Sequence, residues 1–231
     1  MKKLSKKVIA FALAVVMTLT AGAVAPQGNV EVQAASGRVY VNPYSATVVT
    51  YKPGSALSRF SSVISIMGCS KAKEIKNLKS SNKYIKVAPR DGYIRVEFGK
   101  KAAKSTITCT VKGVKLKTTF TVKKYTNPCK TFKIGKTNLL SKFKCLAWID
   151  VLRTNKAFKK QKLDIKLKSG WKISSVHVTS GTGSYNNYRV NKSSFSKKIT
   201  VSNNYGYIYV YCYNEKTKVS ECLQINTSTR Y

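Results

Sequence analysis

The sequence predicts an all-β protein, two tandem antiparallel β-sandwich modules behind an N-terminal signal peptide. Three observations carry this. Apolar and polar residues alternate with a period of two in many short runs, no long segment shows helical periodicity, and a lysine-flanked apolar run opens the chain.

Lys2, Lys3, Lys6 and Lys7 precede an apolar run from Val8 to about Ala25, followed by Val32-Gln33-Ala34. A basic start, an apolar stretch and small residues at the cleavage positions predict a signal peptide over residues 1–34. The alternative is an uncleaved anchor, since the run approaches the ~17 to 20 residues that span a bilayer. No other segment is apolar enough to span a membrane, so the mature chain is expected to be exported, with no anchor of its own.

Val114, Leu116, Thr118, Phe120 and Val122 alternate with Lys115, Lys117, Thr119, Thr121 and Lys123, a strand with one face in a core and lysine in water. Similar runs cover Arg38 to Val41, Thr47 to Thr50, Ser62 to Met67, Ile75 to Leu78, Tyr84 to Val87, Tyr93 to Phe98 and Ser105 to Val111. They define a first module over residues 37–125. Thr126-Asn127-Pro128 interrupts strand pairing and marks the junction. A second module, residues 126–231, has strands at Lys130 to Ile134, Cys145 to Leu152, Leu163 to Leu167, Trp171 to Val178, Phe195 to Val201, Tyr205 to Tyr213 and Val219 to Ile225. Seven strands in about a hundred residues match a sandwich of immunoglobulin size. Ser180-Gly-Thr-Gly-Ser184 followed by Tyr185, Asn186, Asn187, Tyr188 and Arg189 reads as a hairpin tip. It is either a solvated turn or a recognition loop, because tyrosine beside asparagine joins rigid aromatic area to adaptable hydrogen bonding.

Within the first module, the Ser80-Ser81-Asn82 turn, Val87 in a short strand, Gly92 in a hairpin and the late strand Thr106-Ile107-Thr108 resemble bacterial immunoglobulin-like group 2 domains. Leu78 stands where that family has tryptophan, and Lys101-Ala-Ala-Lys104 replaces its Lys-Ala-Gly turn. The resemblance implies an immunoglobulin-like sandwich of bacterial surface and secreted proteins, used as a spacer or adhesion module. It implies no catalytic residues. The second module shares the strand rhythm without those motifs.

Removing residues 1–34, with four lysines and Glu31, leaves 39 Lys/Arg against seven Asp/Glu, and only seven of the 39 are arginine. Each module carries +16, so no single tail holds the excess. Dispersed lysine favours nonspecific attraction to anionic polymers (teichoic acid, acidic glycans or extracellular DNA) over base-edge recognition, which uses arginine's planar fork. The plainer alternative is that lysine simply fills the solvent face of every strand.

An enzyme needs groups that move protons or attack. The chain has one histidine, His177, within the alternating run Ile173 to Val178. No close Cys or Cys–His pair has zinc-site spacing, and nothing pairs two of Glu74, Asp91, Glu97, Asp150, Asp164, Glu215 and Glu221 across a cleft. No catalytic residue, metal or cofactor is expected. Six cysteines in an exported chain invite disulfides, although an anaerobic host would leave them reduced. Strand geometry suggests Cys69 with Cys109, Cys145 with Cys212, and Cys129 with Cys222.

Tyrosine occupies every odd position from Tyr205 to Tyr213. If Asn214-Glu-Lys-Thr217 turns the chain, Tyr213 lies opposite Lys218. Cys212, Val210 and Ile208 then face Val219, Glu221 and Leu223 on a core side marred by Glu221, and Tyr211, Tyr209 and Tyr207 face Ser220, Cys222 and Gln224 outside. Cys212 and Cys222 point to opposite faces and should not bond. Tyr207, Tyr209, Tyr211 and Tyr213, with Tyr185, Tyr188 and Arg189, are the candidate ligand-binding residues. They form either a flat stacking platform for carbohydrate or ordinary cross-strand packing. The expected function is a secreted, cationic, noncatalytic binding, adhesion or spacer protein, associated by charge with the cell wall and with carbohydrate or a surface protein as further partners. The rival is a secreted cationic hydrolase or toxin.

Overall fold

The computed structural model describes residues 38–154, 157–180, 185–203 and 205–229. The expected signal peptide lies outside them, as do Gly181 to Ser184 of the expected hairpin tip. The first sandwich contains β1 (Tyr40–Val41), β2 (Val48–Tyr51), β3 (Arg59–Met67), β4 (Ile75–Ser80), β5 (Ile85–Arg90), β6 (Tyr93–Gly99), β7 (Ala103–Val111) and β8 (Val114–Lys124). They form two sheets, β1-β3-β6-β5 and β2-β8-β7-β4.

Side-chain period and turn chemistry account for these strands. In β8 Thr118, Phe120 and Val122 are buried, while Lys115 and Lys117 are exposed. The β7–β8 hairpin closes at Val111 opposite Val114, and Lys112 and Gly113 both take positive φ, the backbone of a two-residue turn that follows the natural strand twist. Gly92, at φ 81°, closes β5 on β6. The Ser80 to Asn82 turn is tied to the start of the Thr-Ile-Thr strand. Asn82 donates to the Lys104 carbonyl at 3.0 Å, the Thr106 amide donates to the Ser81 hydroxyl at 2.9 Å, and the Ser81 amide donates to the Thr106 carbonyl at 3.0 Å.

The second sandwich contains β9 (Cys129–Ile134), β10 (Thr137–Asn138), β11 (Trp148–Thr154), β12 (Phe158–Leu167), β13 (Trp171–Thr179), β14 (Tyr185–Lys192), β15 (Ser194–Val201), β16 (Tyr207–Asn214) and β17 (Ser220–Thr229). Its sheets are β10-β9-β12-β15 and β11-β17-β16-β13-β14. Both sandwiches share one plan. The opening segment splits between sheets, first pairing antiparallel (β1 with β3, β9 with β12) and then running parallel to the last strand (β2 with β8, β11 with β17). In each sandwich the last two strands share the sheet of that parallel strand, β7 and β8 with β2 and β16 and β17 with β11. The fold is therefore all-β and immunoglobulin-like in both halves.

Two cores fill the sandwiches. Ile64, Ile85, Ile94, Val96, Ile107 and Phe120 anchor the first, and Phe132, Phe143, Leu163, Ile165, Ile173, Val210 and Leu223 the second. Each such side chain contributes about 1.5 to 3 kcal/mol by leaving water. Tyr125, expected to end the first module, places its ring in the second core while its amide bonds the Tyr51 carbonyl.

Tyr185 to Arg189, expected in a hairpin tip, instead belong to the edge strand β14. Its pairing with β13 sets Tyr185 against Thr179, Asn187 against His177 and Arg189 against Ser175. Only one of its ladders is occupied, so its polar sequence meets little demand for burial. Tyr205, expected as the start of a strand, lies outside β16 with φ 55° and 80% exposure.

Candidate recognition face on the second sandwich

The outer side of the β11-β17-β16-β13-β14 sheet gathers most of the candidate binding residues. Strand register arranges them in rows. The first holds Tyr185, Thr179, Tyr207 and Asn226, the second Asn187, His177, Tyr209 and Gln224, and the third Arg189, Ser175, Tyr211 and Cys222. The buried alternates Ile208, Val210, Cys212, Leu223 and Ile225 face the core, which sends the odd tyrosines outward. In these rows only Arg189 is charged. The neighbouring sheet differs: Lys133, Lys162, Lys166 and Lys198 are all exposed around Asp164.

The β16–β17 register corrects the expectation by two residues. Tyr213 pairs with Ser220, Tyr211 with Cys222, Tyr209 with Gln224 and Tyr207 with Asn226. The Asn214 side chain is the cause. Its Oδ1 accepts from the Lys216 and Thr217 amides at 3.1 and 2.9 Å, and Lys218 takes φ 59°, so the turn takes in both Lys218 and Val219 before the chain re-enters β17 at Ser220. A two-residue slip preserves the faces. Cys212 still points inward and Cys222 outward, and Glu221 is still on the core side, now opposite Cys212.

Not every tyrosine of the expected set belongs to the face. Tyr213 is 6% exposed, and its hydroxyl donates to Asn191 Oδ1 at 3.1 Å. Tyr188 lies on the other side of β14, packed against Phe195 with centroids 5.3 Å apart and with the Lys197 ammonium 4.7 Å over its ring. Nor is the remaining set a flat platform. Tyr207 and Tyr209 stack on each other at 4.6 Å and 18°, so the two rings stand side by side along the strand and one face of each is covered by the other.

Sequence reasoning treated His177 as an ordinary strand residue and missed its place in this face. Its Nδ1 lies 2.9 Å from the Tyr185 hydroxyl, and its ring sits 5.0 Å from that of Tyr211. Burial lowers its pKa, favouring the neutral imidazole. Burial also raises the Tyr185, Tyr209 and Tyr211 hydroxyls, which therefore stay protonated as donors. The arrangement can offer neutral hydrogen-bond donors and acceptors between aromatic rings. No group of three or more metal-ligating side chains occurs among the described residues.

All six cysteines are free thiols, and none of the three expected pairs is bonded. Cys129 sits in the core, whereas Cys222 lies on the outer face, which separates that pair. Cys212 is sealed in the core while Cys145 is exposed before β11. Cys69 and Cys109 lie in the same core region of the first sandwich, unbonded.

No family model matches this chain, and no curated protein matches it. Among solved structures, the fibronectin(III)-like modules of Clostridium thermocellum CbhA are similar at 15% identity and a TM-score of 0.33, covering 83% of this chain and 95% of that one. The D0-D1 domain of intimin is similar at 9% identity and a TM-score of 0.27, covering 83% and 98%. A Bacteroides ovatus SGBP-B, solved with a mixed-linkage heptasaccharide, is similar at 9% identity and a TM-score of 0.26, covering 84% and 46%. Likeness at this level carries no argument about function.

Proposed function

We propose that this chain is an exported, noncatalytic, two-module immunoglobulin-like binding protein, held near anionic wall polymers by its dispersed lysines, whose first module is of the bacterial group 2 type. Its recognition surface is the outer face of the second sandwich, and its ligand is a carbohydrate. One observation carries the reading. In a chain of 43 basic residues, three successive rows of one sheet face hold tyrosine, histidine, asparagine, glutamine, serine, threonine and one cysteine, with Arg189 as the single charge. Sugar hydroxyls are bound by such neutral donors and acceptors beside aromatic carbon, with a few placed polar groups fixing orientation. Because Tyr207 and Tyr209 stack on each other, the contacts run through hydroxyls, amides and ring edges.

A glycan array on the mature chain tests the ligand, with Tyr209→Ala and Asn187→Ala as variants. No binding, or binding that both variants leave intact, would reject the face. Charge retention has a separate test. High salt should release the protein from whole cells, and protein that stays bound would show that another force holds it.

A further inference from the structure

Glu221 is a carboxylate on the core side of β17, 5% exposed, and the hydrogen-bond partners of its carboxylate come from the other sandwich. The Lys52 ammonium lies 2.8 Å from Oε2, and the Thr50 hydroxyl donates to Oε1. Lys52 also sits 5.2 Å over the ring of Tyr125, whose hydroxyl donates to the Phe143 carbonyl at 3.1 Å in the second sandwich. Around this cluster, Val48 packs against the second core, the Gly54 amide donates to the Cys145 carbonyl at 3.2 Å, and Lys123 donates to the Thr217 carbonyl at 3.0 Å. Gly54 fits only as glycine, since a Cβ there would lie 2.9 Å from the Cβ of Cys145.

A buried carboxylate left without its partner is strongly destabilising, by more than an exposed pair ever returns. The second sandwich carries that carboxylate in its final strand, and the first supplies both groups that satisfy it. We propose that the two sandwiches form one cooperative unit, in which Thr50 and Lys52 of the first complete the fold of the second and fix how the two are oriented. The first sandwich is then a structural part of the recognition domain. By holding β17 it holds β16, and with it the tyrosine rows.

The chain's own tryptophans provide the test. Trp148 and Trp171 are the only two, and both lie in the second sandwich, so their fluorescence reports that half alone. In the full mature chain, Ile64→Ala opens a cavity in the first core, where Ile64 is fully buried. One cooperative unit requires the tryptophan-detected urea midpoint to fall together with the far-UV circular dichroism midpoint. Lys52→Met should lower the tryptophan midpoint from across the junction, and adding Glu221→Gln should recover part of that loss. If Ile64→Ala does not fold, Ile64→Val gives a smaller step read the same way. A first-core variant that moves the circular dichroism transition while the tryptophan midpoint stays would overturn the proposal, as would a Lys52→Met chain with an unchanged tryptophan midpoint.

Discussion

The Tyr185 hydroxyl and His177 Nδ1, 2.9 Å apart, tie the edge strand β14 to β13 across the candidate face of the second sandwich. Burial holds the folded-state pKa of His177 below its ordinary 6.5. A depressed value means that the unfolded chain binds the proton more readily, so this stability is present above pH 6.5 and is lost as pH falls through the folded value. Replacing His177 by Asn removes that dependence. The thermal midpoint of the native chain should therefore exceed the variant's most at pH 7 to 8, and the margin should shrink towards pH 5. A margin that grows on acidification would contradict the neutral, buried imidazole.

Glu221 carries the opposite sign. Burial raises its carboxyl above the ordinary 4.5, with Lys52 and Thr50 opposing the rise only in part. A raised value means that the folded chain binds the proton more readily. This contribution is fully present below pH 4.5 and is lost as pH rises through the folded value. The native chain's advantage over Glu221→Gln should thus be largest near pH 4 and decline upward. Thermal melts of both chains at unit pH steps measure it, and an advantage that rises with pH would show that attraction to Lys52 outweighs desolvation.

The corrected face separates two tyrosines that sequence alone treats alike. Tyr213→Phe removes one half-buried hydrogen bond to Asn191 and should cost about 0.5 to 1.5 kcal/mol of stability without changing carbohydrate affinity. Tyr209→Ala removes half of the Tyr207–Tyr209 stack and should weaken binding by at least tenfold, as loss of a central aromatic anchor does in other interfaces. Calorimetric titration beside thermal melts distinguishes the two, and the pattern reversed would move the binding face elsewhere.

What the sequence reveals follows from how local each determinant is. The alternation in β8, β12 and β16 is visible because core and water impose opposite demands on adjacent residues. The two-residue slip at Tyr213 is hidden, because it depends on where one Asn214 side chain bonds within its turn. Strand β14 is hidden for a different reason, since as an edge strand with asparagines in its ladder it carries no periodic apolar signal. Glu221 reads as a flaw in its own strand, and its explanation lies 169 residues earlier, at Lys52. His177 likewise gains its meaning from Tyr185 and Tyr211 on two neighbouring strands.

Gly206 leads the chain into β16. A Cβ there would meet Val201 Cγ1 at 2.6 Å and Thr227 Oγ1 at 2.8 Å, and its amide donates to that same Thr227 hydroxyl at 3.0 Å. Gly206→Ala should cost about 1 to 3 kcal/mol through overpacking. Thr227→Val should cost a similar ~1 to 3 kcal/mol by leaving the buried Gly206 amide without its partner. Urea titrations of the two variants measure both costs, and a neutral Gly206→Ala would mean that the entry to β16 relaxes freely.

Thiol reactivity should divide the cysteines by position. Burial pushes Cys129 up to about 12 and Cys109 and Cys222 up to about 11, and raises Cys212 well above its ordinary range. The reactive species is the thiolate, so at pH 7.5 these four are nearly inert while the chain is folded. Cys145 is exposed beside the junction. A thiol-reactive chromophore should therefore modify Cys145 first, with the buried cysteines following only in denaturant. Non-reducing peptide mapping of the reacted protein identifies the site. Rapid native labelling of Cys212 would mean that β16 opens from the core, and a Cys212–Cys222 crosslink would contradict the opposite faces on which the tyrosine rows depend.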